Sequence, residues 1–152
     1  MKGLLICPQT QPTYKVLANK IIVDTGPIVA LLNRRDAHHT WSVDQARQLE
    51  PPFITCEAVL AEAHFLLAGI HQGNVQLNHL IGSGKLVLTS AVEHNLARIS
   101  QLMLTYQNVP MSFADASLVC LAEQFSGTVF TLDSDFHVYR KNQKDAINLI
   151  IP

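Results

Sequence analysis

Residues 21–32 read IIVDTGPIVALL, and the change of pattern inside this run decides the fold. Ile21, Ile22 and Val23 give a short, wholly apolar strand signal that stops at Asp24, Thr25 and Gly26. Pro27 has the fixed φ that suits the first turn of a helix, which Ile28 to Leu32 continue. The same alternation recurs downstream. Asp36 is placed to cap a second helix reaching residue 49, and Pro51 and Pro52 close it. Residues 53–55 form a second strand before a helix over 57–67 that stops near Gly69. A further helix over 71–81 and a turn marked by Gly82 and Gly84 lead into a third strand at 86–88. Ser90 with Glu93 resembles a capping box opening a long helix past Leu104. Ser112 starts a helix to about residue 125, a fourth strand spans 128–132 and a fifth spans 147–151. Short apolar strands separated by helices imply a parallel sheet covered on both faces, so the predicted class is α/β with three α/β/α layers.

The chain has 152 residues, 48% of them hydrophobic, which supports one core and not two. We read residues 1–20, broken by Pro8 and Pro12, as an N-terminal extension and residues 21–152 as the domain. Eleven basic residues stand against 12 acidic ones, so no overall field draws the chain to nucleic acid or an anionic membrane. Cys7, Cys56 and Cys120 include no closely spaced ligand pair and leave one thiol over in any disulfide scheme, which favours a reducing compartment, the cytoplasm by default. The apolar run at the start is too short for a secretory core or a membrane span.

The informative residues are acids set among apolar neighbours. Asp24 follows the first strand and Asp133 follows VFTL at the end of the fourth, so both stand at the carboxyl edge where ligand crevices form in parallel sheets. If those two strands are neighbours, the acids face one crevice. Glu62, three residues after Val59 and four before Leu66, lies on or beside the buried stripe of its helix. Asp115 has the same relation to Leu118 and Val119. Four carboxylates from four elements would raise one another's pKa values unless a divalent cation reversed that sign. Magnesium or manganese suits an all-oxygen set better than zinc. Each acid also has a local explanation: Asp24 as the cap of the helix at Pro27, Asp115 in a Ser112 capping box, Asp133 with Asp135 in an Asx turn, and Glu62 as a snorkelling surface side chain.

Other motifs carry less. No HExxH pattern exists, His38 and His39 suit a solvated face, and His64 beside Phe65 suits packing. GSGK at residues 82–85 lacks the earlier glycine of a Walker loop, having His79 there, and Leu86 replaces the Ser or Thr after Lys85.

Taken together, IIVDTGPIVALL, TCEAVLAEAHFLL, SFADASLVCLAE and VFTLDSDF resemble the PIN-domain nuclease family, most closely the toxin subunits of VapBC-type toxin-antitoxin pairs. The resemblance spans about residues 21–151 and places the family's four acids on Asp24, Glu62, Asp115 and Asp133, with Asp135 as an extra or water-mediated ligand. Thr25 and Thr131 match its hydroxyl positions. It implies a five-stranded sheet in the order 3-2-1-4-5, one or two Mg²⁺ or Mn²⁺ ions, hydrolysis of RNA phosphodiester bonds, a homodimer and a small antitoxin partner. For the phosphate-binding rim the candidates are Arg34, Arg35, Arg140, Lys141 and Lys144. Two other readings stay open at this point: an inactive RNA-binding or protein-interaction module, and a phosphoryl hydrolase acting on small esters.

Overall fold

The computed structural model describes residues 20–152; the extension expected over residues 1–20 lies, apart from Lys20, outside the described residues. Five strands form one parallel sheet: β1 (Ile21–Val23), β2 (Phe53–Thr55), β3 (Leu86–Leu88), β4 (Thr128–Phe130) and a last strand, Asn148–Ile150, which is β7 in chain order. Their order is β3-β2-β1-β4-β7, the sequence 3-2-1-4-5 implied by the resemblance. Among the described residues six helices cover it: α1 (Thr25–Leu32), α2 (His39–Gln48), α3 (Glu57–Leu67), α4 (Gly73–Gly82), α5 (Val92–Thr105) and α6 (Phe113–Phe125). The first four pack among themselves and α5 packs along α6, giving the three α/β/α layers.

The strands are only three residues long, yet Ile22, Val23, Val129 and Phe130 are almost wholly buried, as strands covered on both faces must be. Close approach of β1 to the turn before β4 depends on Gly127. A Cβ there would stand 2.7 Å from the Lys20 carbonyl oxygen. The GSGK segment closes α4 and turns into β3 with Gly84 at φ +73°, a turn role and no phosphate cradle. The helix α6 is buried at nine consecutive positions, Ala114 to Ala122. Small side chains at Ala114, Ala116, Ser117 and Ala122 let it lie close to its neighbours, and Ser117 returns its hydroxyl to the Phe113 carbonyl.

Four details differ from the sequence expectation. Asp36 does not cap α2. Its carboxylate accepts from the His38 amide in a turn, and His38 is the residue that precedes the helix. Ser90 accepts only a long bond from Glu93, and α5 begins at Val92. The fourth strand ends at Phe130, because Thr131 and Asp133 turn into a one-turn 3₁₀ helix, Ser134–His137. Finally, β5 (Arg140–Lys141) and β6 (Asp145–Ala146) form a small antiparallel hairpin that no apolar pattern announced.

That hairpin is held by Glu123 of α6. The Arg98 guanidinium of α5 donates to both Glu123 oxygens at 2.7 and 3.3 Å, and the Asn142 amide donates to Oε1 at 2.8 Å. Both charged side chains are mostly shielded from water, so the pair is stronger than a surface ion pair and costly to break from one side. Glu123→Ala is expected to cost about 2–3 kcal/mol in chemical denaturation. A loss below about 0.5 kcal/mol, the range of ordinary surface substitutions, would show that the clamp carries no weight.

Candidate active site

The carboxyl edge of the sheet brings the predicted acids together around β1 and β4. The register pairs Val23 with Phe130, and the Asp24 amide donates to the Phe130 carbonyl at 3.0 Å. Asp24 is therefore held by backbone opposite the start of the Thr131 turn. One of its carboxylate oxygens accepts from the Thr25 amide at 2.6 Å, which makes it the cap of α1, and the other accepts from the Thr131 hydroxyl at 2.7 Å. Thr131 Oγ1 in turn accepts from the Asp133 amide at 3.0 Å. Just behind, the buried Thr55 hydroxyl donates to the Val23 carbonyl, tying the ends of β1 and β2.

Glu62 comes from α3, whose buried stripe is Val59, Ala63 and Leu67 rather than Val59 and Leu66. Glu62 is exposed beside that stripe and meets the edge through Thr25, whose hydroxyl donates to Oε2 at 2.9 Å. Thr25 thus links the first acid's helix to the second acid, a partnership that spacing in sequence does not reveal. Asp115 sits in the first turn of α6 in a complete capping box: it accepts from the Ser112 amide at 2.8 Å and its own amide donates to the Ser112 hydroxyl at 3.0 Å. Asp133 accepts from the Asp135 amide at 2.8 Å, the expected Asx turn.

The local explanations are therefore all physically present for the three aspartates, and they engage only part of each acid. Glu62, Asp115 and Asp133 each have one oxygen with no hydrogen-bond donor among the described residues. Burial raises the Asp24 carboxyl to about 6 against the lowering effect of its two hydrogen bonds, and the charges of Asp115 and Asp133 push it the same way. Asp115 is raised too, by burial first, then by Asp133 and Glu62, against its Ser112 bonds. The Tyr139 hydroxyl, packed edge-on between Phe136 and Tyr106, is fully buried without a hydrogen-bond partner among the described residues. Burial and the charges of Asp115, Asp135, Asp133 and Asp24 push it above the usual phenol range.

Such a set suits a hard divalent cation in its donor chemistry: oxygen ligands, unmatched negative charge and free lone pairs. It is not a finished coordination shell. Among the described residues no group of three or more His, Cys, Asp or Glu side chains stands close enough to hold a metal ion as placed. Asp135 contributes its amide to Asp133 and lies half-buried on the 3₁₀ turn. Of the basic candidates, Arg140 is committed elsewhere, since Nη1 donates to the carbonyls of His137, Val138 and Tyr139. Lys141 and Lys144 belong to the hairpin, with Lys144 exposed. Arg34 and Arg35 are exposed beyond the far end of α1. Sequence reasoning missed Tyr139, and no pattern of spacing would have singled it out.

The raised Asp24 carboxyl has a consequence for stability. Its folded value, about 6, lies above the reference 3.8, so the folded state holds this proton more tightly and the stabilisation is complete only in acid. It is lost as pH rises through about 4 to 6, and Asp115 adds in the same direction. The displacement of about two pH units corresponds to roughly 3 kcal/mol. In EDTA, wild type is expected to unfold at lower temperature at pH 7.5 than at pH 5, and Asp24→Asn to flatten most of that dependence. An equally steep dependence in Asp24→Asn would refute the assignment.

The comparisons with known proteins agree with this architecture. The PIN domain family model matches residues 21–142. Mycobacterium tuberculosis VapC20, described as a sarcin-ricin loop cleaving toxin, is similar in structure with a TM-score of 0.71 and 22% identity, over 78% of this chain and 94% of that one. FitAcB from Neisseria gonorrhoeae gives 0.52 and 22%, over 75% and 88%. FitAB bound to an IR36 DNA fragment gives 0.58 and 19%, over 87% and 94%. At these identities the structural likeness speaks for the fold. No curated protein matches significantly by sequence. With the family model spanning four of the sheet's five strands and all four acids, the chain belongs to the PIN-domain family.

Proposed function

We propose that the chain is a divalent-metal-dependent ribonuclease that hydrolyses RNA phosphodiester bonds, and that it acts as the toxin of a toxin-antitoxin pair. The observation that carries this reading is the threonine-braced edge: Thr131 to Asp24 and Thr25 to Glu62, with Asp115 and Asp133 electrostatically coupled to Asp24. Membership of the PIN-domain family and the described activity of the structurally similar VapC20 support it.

Asp24, Glu62, Asp115 and Asp133 would hold one or two Mg²⁺ or Mn²⁺ ions, with Asp135 as an outer, water-mediated contact. Such an ion, when bound, lowers the pKa of a nucleophilic water and stabilises charge on the phosphoryl group and leaving oxygen. The chain's own part is positioning. Thr131 and the Thr25 amide fix both oxygens of Asp24, so this carboxylate cannot rotate without breaking a bond. The capping box holds Asp115 to its first-turn position, and the Asx turn does the same for Asp133. Glu62, the exposed member, lies on the solvent side from which a polymer would enter.

A homodimer and a small antitoxin complete the reading. Phe65 and Leu66 of α3 and Val75 of α4 expose large apolar side chains, 81%, 52% and 66% accessible, of the kind that protein contacts cover. No described helix is long and apolar enough to cross a membrane.

The test is cleavage of an RNA panel in EDTA, Mg²⁺ and Mn²⁺. Wild type is expected to cut only with metal, and folded Asp24→Asn and Asp115→Asn to lose cutting. Thr131→Val, which removes only the hydroxyl bracing Asp24, is expected to lose about 10- to 100-fold in activity or metal affinity. Cutting in EDTA, or unchanged cutting by Asp24→Asn, would overturn the mechanism. Metal binding without cleavage would favour an inactive binding module, and turnover of small phosphate esters alone would favour a different hydrolase.

A further inference from the structure

Tyr139 is the largest fully buried side chain among the described residues, and its hydroxyl has no hydrogen-bond partner among them. Buried hydroxyls in native proteins are nearly always paired, because an unpaired one gives up its hydration without return. Tyr106 provides the contrast. Its ring meets Tyr139 edge-on at 5.2 Å, and its hydroxyl accepts from the Arg140 amide at 3.0 Å. One tyrosine of the pair thus spends its polar end on the fold, and the other keeps a donor uncommitted.

Tyr139 stands where the acid-bearing segments meet. Its amide donates to the Asp135 carbonyl at 3.3 Å and its ring packs edge-on against Phe136 at 5.2 Å, so it closes the turn that begins at Asp133. On its other side Tyr106 caps α5, just before the loop that delivers Asp115 to the first turn of α6. The ring is therefore wedged between the segments that carry Asp133 and Asp115. The charges agree with this placement: after burial, Asp115 raises the phenol most, followed by Asp135, Asp133 and Asp24. Asp115 and Asp133 each keep one carboxylate oxygen with no donor among the described residues. A water that accepts from the phenol and donates to those two oxygens has three partners, the usual number for a buried water. Its protons also offset the repulsion between the two carboxylates, which the ring alone cannot do. Resting on the ribonuclease reading above, we propose that Tyr139 is a positioning residue of the acid edge, whose hydroxyl, through one bridging water, holds Asp115 and Asp133 in a single orientation.

Tyr139→Phe removes the hydroxyl and keeps the ring. In EDTA at pH 7.5 it is expected to lower the unfolding midpoint of the wild-type protein by about 2–4 °C and that of Asp115→Asn by less than about 1 °C. Asparagine breaks the bridge because the Ser112 amide retains its oxygen, which turns the side-chain nitrogen, a donor, toward the water. Equal losses in the two backgrounds would overturn the bridge. So would a higher midpoint in Tyr139→Phe, the result of deleting a hydroxyl that has no partner. Titration with Mn²⁺ in the absence of RNA is the second readout. Tyr139→Phe is expected to weaken binding about 10- to 100-fold. Tyr106→Phe, which disturbs the same ring packing, should leave it unchanged. Unaltered Mn²⁺ affinity in Tyr139→Phe, or equal weakening by both variants, would overturn the positioning role. The two readings fail separately. Wild type that binds no Mn²⁺ rejects the ribonuclease reading, and the EDTA comparison then decides the bridge. Tyr139-dependent Mn²⁺ binding without RNA cleavage rejects the enzyme and keeps the positioning role.

Discussion

The hydrogen bond from the Thr131 hydroxyl to Asp24 joins residues 107 positions apart, and the candidate site depends on it. A carboxylate with 8% exposure at the end of a covered strand needs a donor at each oxygen, or its desolvation is uncompensated. Thr25 supplies one from the next residue and Thr131 supplies the other from across the sheet. The second donor exists only because β1 and β4 are neighbours in parallel, with Val23 opposite Phe130. Fold and site are thus coupled at one point: a slip of a single position between these strands would turn every side chain to the other face and leave Asp24 half-satisfied.

Local structure and joint chemistry turn out to be compatible uses of the same acids. Capping takes one oxygen of Asp115 and the Asx turn takes one of Asp133, while Glu62 gives one to Thr25. A carboxylate has two oxygens and about four lone-pair sites, so these bonds orient the group and leave acceptor capacity over. Burial first, and the neighbouring acids after it, hold the carboxyls of Asp24 and Asp115 above the usual range.

Much of the architecture was legible in the chain. The apolar triplets at 21–23, 53–55 and 86–88 coincide with strands, and Ser112 caps the helix expected of it. These succeed because burial on both faces demands an unbroken apolar run and a cap demands a side-chain oxygen at one position. The order of strands was not legible from periodicity, which says nothing of neighbours; it came from the family resemblance. The hairpin at Arg140 to Ala146 was invisible because it is held by Glu123 and Arg98, a contact between distant polar residues that leaves no pattern. Glu62 lies beside the buried stripe, but that stripe runs through Ala63 and Leu67 and not Leu66, and the bond it accepts from Thr25 leaves no trace in spacing. Among the basic residues, sequence could not separate Arg140, which braces its own loop, from Arg34 and Arg35, which remain open to solvent.

The burial of α6 on every side sets where this protein can vary. Asp115 apart, the buried positions from Ala114 to Ala122 carry uncharged side chains and tolerate neither bulk nor charge, so drift in this helix is confined to exchanges among small or closely matched residues. The outer surfaces of α2 and α4 face no such restriction. Divergent copies of the chain would therefore keep an almost frozen interior rod beneath a changeable exterior, and new recognition preferences would arise from the periphery inward.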